Sequence, residues 1–438
     1  MANTYLQRTP TTRTNNQKFT YSCWFKRSEI GTGQYFVINL ESGNDRGYIS
    51  FDTADKIFIY DKAGGTERFV ATSNFVLRDT SAWYHLVYCV DSTAGSNRVK
   101  IYINGVDKYS DFTVATAMSQ NSTVGFQQGT VSNSFKVGSQ ELGSTTFNGL
   151  MSHINFVDGL QLDASTFGET DANGVWTINT SPTVSEYGNN GFFILKDGNS
   201  VTDQSGEGNN FTVGGGTLTK TEDSPSNVFA TLNPLYNSGG TVTYSNGNNT
   251  FTEPDSQWKT TFSTLGASSG KYYAEFKSNG NYTQIGVADY NVTKSGTADY
   301  NFASSTVIST QGYGYYNGNG DLYYRGSSTS YGDTYGNGDI IQVGLDCDNN
   351  RVFFGKNGVW QNSADPTNSG TGFAMTATDA TYVFALSVTS NPCNSNFGNG
   401  YFGTTAVSSA GTNASGIGIF EYDVPTGYTA LSTKGLNL

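Results

Sequence analysis

The sequence predicts an all-β chain, built as two sandwiches joined by a loop-rich segment. Three observations carry this expectation. Gly occurs 53 times in 438 residues and aromatics make up 14%, while only 14% are charged; such a chain has little of the Lys, Glu, Leu and Ala that long helices need. Short apolar runs alternate with polar residues at the period of a half-buried strand. Turn residues punctuate these runs, and two similar stretches, RVKIYINGVDK (98–108) and RVFFGKNGVWQ (351–361), each turn at Asn-Gly-Val.

Residues 1–18 read as an N-terminal arm. It has no apolar core of a secretory signal, so synthesis in a cytoplasm without export by that route is expected. Residues 19–62 give successive strands in FTYSCWFKR, QYFVINLES, GYISFDTA and KIFIYDK. WYHLVYCVD and RVKIYING follow, joined to the next strand by Asn104-Gly105, a pair suited to the positive φ angles of a two-residue hairpin. FKVGS and FNGLMSHINFVDG close this set, and LDASTFGE (162–169) predicts one short helix capped by Asp163 or Ser165. Residues 170–257 read as a connecting segment with a few strands, because Trp176, Phe192, Phe193, Phe211 and Phe229 need burial. A second sandwich is expected over 258–438, from KYYAEFKS, YTQIGVAD, DIIQVGLDCDN, RVFFGKNGVW and YVFALSVTS.

The net charge of -12, with scattered Lys and Arg, argues against nucleic-acid binding. No run of about 18 apolar residues is present, so no membrane insertion by a helix is expected.

FTYSCWFKR, AWYHLVYCVDSTAGSNRVKIYINGVDK and FKVGSQELGSTTFNGLMSHINFVDGLQLDASTFGE occur in an order that resembles the laminin-G/pentraxin family over residues 19–169. GKYYAEFKS, IGVAD, GYGYYNGNGDLYY, GDIIQVGLDCDNNRVFFGKNGVW and YVFALSV resemble the SPRY family over about 258–400. Both resemblances imply concanavalin-A-like jelly-roll sandwiches. The joint (FGETDANGVWTI, NNGFFILKDG, DQSGEGNNFTV, DSPSNVFATLNPL) and the tail YDVPTGYTALSTKGLNL resemble a recurrent type of bacteriophage virion protein. That implies a virion-surface protein such as a tail fibre or receptor-binding protein, meeting other virion proteins and a host-surface glycan or protein. The structural alternative is a capsid decoration or fibre-attachment protein. A homo-oligomer would have to form through domain faces or through residues 1–18, since no heptad or β-helix repeat is present.

Jelly-roll glucanases carry Glu-x-Asp-x-x-Glu on one strand, where alternate carboxylates share a face. EPDSQ (253–257) and EYDVP (421–425) come closest, and each contains Pro and lacks the third carboxylate. No Ser or Cys nucleophile motif accompanies His85, which reads as a packed strand residue, as does His153. A non-enzymatic protein with no catalytic residue and no organic cofactor is therefore expected, and a polysaccharide-degrading enzyme ranks last. The pentraxin resemblance implies a calcium set of Asn44, Asp45, Gln140 and Glu141, drawn from two loops. Here the second loop is shorter and less acidic than in pentraxins, and Asn and Asp also serve as turn formers. The same resemblance places Cys23 and Cys89 on strands that pentraxins bridge; buried thiols are the favoured reading for a protein made in a reducing compartment, and for Cys347 and Cys393. For ligand contact, the candidates are Tyr313, Tyr315, Tyr316, Tyr323 and Tyr324 in the Tyr/Gly/Asn-rich stretch 311–339, with Trp360 past the second hairpin turn.

Overall fold

Phe19, Tyr21, Cys23 and Phe25 lie on one face of strand Lys18–Arg27, and all are buried. Thr20, Ser22, Trp24 and Lys26 alternate with them on the opposite face and are buried as well. Burial of both faces requires a layer outside the sandwich, and the chain supplies one in each half. The computed structural model describes residues 4–126, 134–140, 145–196, 198–237, 241–291, 301–302, 312–376 and 380–438, with the side chains of residues 41 and 42 left undescribed. It divides into two units, Met1–Lys220 and Thr221–Leu438.

In the first unit, one sheet runs in the order Phe192–Ile194, Gly149–Asp158, Lys18–Arg27, Trp83–Asp91, Val99–Ile103, Val106–Asp107. The facing sheet runs Phe112–Thr116, Thr66–Ser73, Ile57–Ala63, Asp45–Phe51, Gln34–Ser42, Phe135–Val137, Tyr5–Arg8, Thr212–Gly215. Aromatic rings fill the space between them: Phe25 meets Phe36 at 4.6 Å, Phe19 meets Phe126 at 5.1 Å and Phe135 meets Phe156 at 5.3 Å. Each such ring, once buried, contributes about 1.5–3 kcal/mol.

The second unit repeats the plan. One sheet runs Leu232–Asn237, Lys259–Ser263, Tyr382–Val388, Thr283–Asp289, Gly312–Tyr316, Asp321–Tyr324, Ser327–Ser330. The other is centred on Lys271–Ser278, Ile340–Asp346 and Arg351–Lys356, with Cys393–Asn396 on its far side. Val343, Leu345 and Cys347 face this core as their alternation predicts.

The all-β expectation thus holds, with two sandwiches. The boundaries differ. Residues 5–8 of the arm form a strand between Phe135–Val137 and Thr212–Gly215, so this part of the arm belongs to the first sandwich. The segment 170–257 is divided: Phe192–Ile194 and Thr212–Gly215 complete the first unit, while Leu232–Asn237 and Thr250–Thr252 complete the second. Phe192, Phe193, Phe211 and Phe229 find the burial they need. The helix expected at 162–169 is only the single 3-10 turn Ala164–Thr166, and Asp163 makes no cap bond there. Its carboxylate instead accepts from Lys100 Nζ at 2.7 Å and Tyr102 Oη at 2.9 Å.

All four cysteines are free and buried. Cys23 lies opposite Leu86, and Cys89 opposite Thr20. Cys23 belongs to the inner core with Leu86 and Tyr88, so Cys89 falls on the outer face, and no bridge can span that geometry. Cys393 pairs with Ser278 at one end of strand Lys271–Ser278, whereas the backbone of Cys347 bonds Gly270 at the other. Burial pushes the thiol of Cys23, like that of Cys347, up to about 12.

The two Asn-Gly hairpins are built alike. Asn104 and Gly105 have φ of 49° and 77°, and Asn357 and Gly358 have 49° and 87°, the left-handed pair of a two-residue loop. Asn104 N donates to His85 O at 2.9 Å while its Oδ1 accepts from His85 N at 2.8 Å. Asn357 makes the same pair of bonds with Ile340, at 2.9 and 2.8 Å. Each glycine then lies under an aromatic ring from a later segment. A Cβ on Gly105 would come within 2.4 Å of the Trp176 ring, and one on Gly358 within 2.9 Å of Tyr422.

Those rings belong to the outer layers. Trp176, Leu160, Leu162 and Phe167 cover the outer side of the first unit's six-stranded sheet, packing on its Val87 and Phe193. Phe420, Val424 and Tyr428 cover the second unit's larger sheet around Tyr273. Both of these sheets are thereby covered on their outer sides.

Candidate ligand-binding surface

Strand Gly312–Tyr316 sets the direction of the candidate tyrosines. Tyr313 and Tyr315 are buried at 1% and 0% exposure, so both are core residues and not ligand contacts as expected. Tyr315 packs on Tyr331, Tyr335 and Phe354 at 5.6, 5.1 and 5.7 Å, and its hydroxyl donates to Asp333 O. Tyr313 Oη accepts from Thr376 N at 2.8 Å. Tyr324 also turns inward, edge-on to Phe373 at 4.8 Å. Phenol suits these positions because its ring fills the core while its hydroxyl finds a backbone partner.

Tyr316 and Tyr323 point the other way, and the two rings meet edge-to-face at 5.7 Å. Trp258 extends the row, its ring 5.9 Å from Tyr316. Tyr282 stands beside them, 56% exposed. Burial pushes the Tyr316 phenol pKa up, and the neighbouring phenols of Tyr282 and Tyr323 add to the shift. Register explains the grouping: Lys259 and Thr283 both pair with Val388, and Gln284 pairs with Tyr316. The loops that flank these residues therefore emerge at one end of the sheet.

Local hydrogen bonds hold the ledge. Buried Glu253 accepts from Asp255 N at 2.6 Å through Oε1, and from Gln257 N and Ser390 N, each at 3.1 Å, through Oε2. This fastens the loop before Trp258 to the loop after Val388. Asn317 Oδ1 accepts from Thr283 N at 2.9 Å, and its Nδ2 donates to Gly280 O at 3.3 Å. Asn319 and Asp321 line the rim, with Asn319 Nδ2 2.8 Å from Asp321 Oδ2 and 3.3 Å from Tyr323 Oη. Half-exposed rings beside fixed amides and a carboxylate can stack on a flat ligand and bond its hydroxyls.

Sequence reasoning singled out Tyr316 and Tyr323 and missed Trp258 and Tyr282. Both missed residues sit in turn-rich loops just before a strand, DSQW and NGNY, which is the signal that marks them. Trp360 is not part of the ledge. It lies half-buried on the other sheet, 6.4 Å from Tyr273 and under the C-terminal segment.

The calcium set is not assembled. Asp45 Oδ1 accepts from Gly64 N at 2.7 Å, at the hairpin end of strand Gln34–Ser42. Val137 pairs with Val37, and Gly138 N donates to Phe36 O, so the chain runs on toward Gln34 as it approaches Gln140. Asn44 and Gln140 thus belong to opposite ends of that strand, roughly 25 Å apart at about 3.3 Å per residue. Glu141 lies outside the described residues. Among the described residues, no group of three or more His, Cys, Asp or Glu could hold a metal ion.

The groups considered for catalysis are otherwise engaged. His85 is fully buried between Trp24 and Trp176, whose rings lie 4.7 and 5.9 Å away. Indole N–H can only donate, so the bond from Trp176 Nε1 to His85 Nδ1 at 3.1 Å leaves the imidazole proton on Nε2. That proton points to Ser22 Oγ at 2.9 Å, the reverse of what a base acting on serine needs. Burial lowers the His85 pKa to about 3. His153 sits at a bulge with φ of 47°, its Nδ1 2.7 Å from Ser152 Oγ. Glu253 staples a loop, as above. Glu421 binds Ser408 through its backbone N at 2.8 Å and its hydroxyl.

Residues 1–162 match the family model of the concanavalin A-like lectin/glucanases superfamily, and residues 270–399 match the SPRY domain model. The chain pairs a laminin-G-type domain with a SPRY domain. The laminin-G-type match takes in the arm strand, and the SPRY match takes in Tyr282, Tyr316 and Tyr323 but not Trp258. Among solved structures, the SPRY domain of human HERC1 is 20% identical, with 37% of this chain and 96% of that chain covered and a TM-score of 0.29. A putative carbohydrate binding protein from Bacteroides ovatus is 16% identical, with 50% and 58% covered and a TM-score of 0.34. No curated protein is significantly similar.

Proposed function

We propose that this is a non-enzymatic surface protein of a bacteriophage particle, of tail-fibre or receptor-binding type, which recognises a host-surface glycan or protein through the SPRY ledge. The observation that carries the reading is the row of partly exposed rings Trp258, Tyr316 and Tyr323 at the end of a sheet, with exposed Tyr282 beside it and the flanking loops fastened by Glu253. Rigid aromatic rings lose little entropy on binding and pack equally well on sugar rings and on protein. The phage assignment is supported by the resemblance of the joint and the tail segment to virion proteins that carry the same two domains in the same order.

The test is a binding panel with the purified full-length protein. Specific retention on host cells or on an array of host glycans is the expected result. Exclusive binding to purified capsid or tail would overturn it in favour of a decoration or fibre-attachment role. Turnover of a bacterial polysaccharide would overturn the non-enzymatic part.

A further inference from the structure

We infer that the outer face of the first unit's eight-stranded sheet is a docking surface for the acidic second unit of another copy of this chain. The face lies wholly within the first unit, and its role stands whether or not the ledge binds a ligand.

Chain connections explain why this face is bare. Strands Gln34–Ser42, Asp45–Phe51, Ile57–Ala63 and Thr66–Ser73 follow one another as antiparallel neighbours. Only short turns join them, so none of these connections crosses over the sheet. Among the described residues, the apolar clusters of this unit fill the space between its sheets or cover the other sheet. The alternation that sends Ile49, Ile59 and Phe69 inward sends Tyr48, Tyr60 and Val70 outward, and register sets these three side by side. Tyr48 stacks on Tyr60 at 5.1 Å and meets Tyr35 and Phe58 at 5.2 and 5.8 Å. Tyr35, Tyr48 and Phe58 are half-buried, so the rings form one continuous patch at the surface.

Tyrosine alone would be ordinary here, because aromatic residues suit strand positions. The arginines make the difference. Arg8, Arg13, Arg27, Arg78 and Arg98 each donate to a carbonyl or carboxylate oxygen. Arg46 and Arg68, the other arginines of this unit, donate to no described residue, and the Nε of each is buried without a partner. Arg46 instead lies over the Tyr60 ring, its Cζ 5.2 Å from the centroid. A buried donor left unpaired is costly, and a guanidinium is well shaped to grip a carboxylate. Among the described side chains of these strands, alternation puts Lys62 and Lys136 on the same side, with Glu67 the one acid beside them. The face is therefore positive, on a chain whose net charge is -12.

Shape and charge select the occupant. The four hairpin-linked strands present a sheet surface about 14 Å wide at about 4.8 Å per strand, whereas small ligands favour concave sites. Tyrosine and arginine are the side chains enriched where proteins meet. The acid that such a face needs is present in this chain: residues 221–438 carry sixteen Asp and Glu against eight Lys and Arg. Two copies of the face would set arginine against arginine. The contact is therefore heterologous, the face of one copy meeting the second unit of the next.

Sedimentation velocity of the full-length protein over a concentration series tests this. Self-association is expected at low salt, and it should weaken at about 1 M salt, where charges are screened beyond about 3 Å. Arg46→Glu combined with Arg68→Glu should weaken association at least tenfold, with an unfolding curve that coincides with that of the unsubstituted protein. Carbodiimide coupling of an equal mixture of isotope-labelled and unlabelled unsubstituted chains locates the contact without any variant. Links between copies are expected to join Lys62 or Lys136 to carboxylates of residues 221–438. The inference is overturned if the protein is monomeric at every concentration, if association is indifferent to salt, if the folded double variant associates as well as the unsubstituted protein, or if the links between copies join other surfaces.

Discussion

At the scale of the residue, the two Asn-Gly hairpins show what a local signal reveals and what it hides. The turn type was readable, because Asn and Gly tolerate positive φ. The ring resting on each glycine was not, since Trp176 and Tyr422 come from distant segments. Gly105→Ala combines a left-handed backbone penalty of about 1–2 kcal/mol with a clash against a ring packed between Gly105, Gly168 and His85. We expect it to destabilise the first unit by about 2–4 kcal/mol in urea titration. Gly358→Ala should cost about 1–2 kcal/mol, because the half-exposed Tyr422 can move aside. Equal losses would contradict this account of the rings. In GYGYY the alternation also told that Tyr313 and Tyr315 share one face and Tyr316 the other. It could not tell which face is inward, because tyrosine is at home in both settings.

At the scale of the element, buried carboxylates in both units anchor segments through backbone N–H groups, Asp61 and Glu275 among them. Asp61 accepts from Gly125 N at 2.8 Å and Phe126 N at 3.0 Å. Glu275 accepts from Glu421 N and Tyr422 N, each at 2.8 Å, and so holds the C-terminal segment over its sheet. Burial pushes each of them up to about 7, against the pull of those hydrogen bonds. A carboxyl group with a raised folded-state pKa binds more protons folded than unfolded. Its contribution is therefore fully present below about pH 4.5 for Glu275 and is lost as pH rises to about 7. We expect the second unit to lose about 3 kcal/mol over that range. Glu275→Gln should flatten the slope for this unit and leave that of the first unaltered, which urea titrations at pH 5 and pH 8 would check. Neither carboxylate stood out in the sequence, because nothing local distinguishes a buried Asp or Glu on a strand from an exposed one.

At the scale of the whole molecule, composition and periodicity made both sandwiches legible, while the domain edges depended on strands too short to show a period. Tyr5–Arg8 has four residues and Phe192–Ile194 three, yet both complete the first unit. A fragment ending at 169 lacks Phe192, Ile194 and Phe211 of the inner core. We expect residues 1–220 and 221–438 to unfold cooperatively as separate fragments and residues 1–169 to aggregate or remain unfolded, as judged by near-ultraviolet circular dichroism. A stable, cooperative 1–169 fragment would restore the boundary expected from the sequence. The ledge was half legible for a related reason: Tyr316 and Tyr323 lie in a conspicuous tyrosine-rich stretch, whereas Trp258 and Tyr282 join them only through pairing with the distant strand Tyr382–Val388.

The central claim is that the SPRY ledge is the recognition surface, and its most direct test is the affinity of the Trp258→Ala, Tyr316→Ala double variant for whichever host glycan or surface protein retains the unsubstituted chain. Both rings are partly exposed, so the unfolding midpoint should shift little. The account predicts at least a tenfold loss of affinity, equivalent to about 1.4 kcal/mol, with the fold intact. Undiminished affinity in a folded double variant would contradict it.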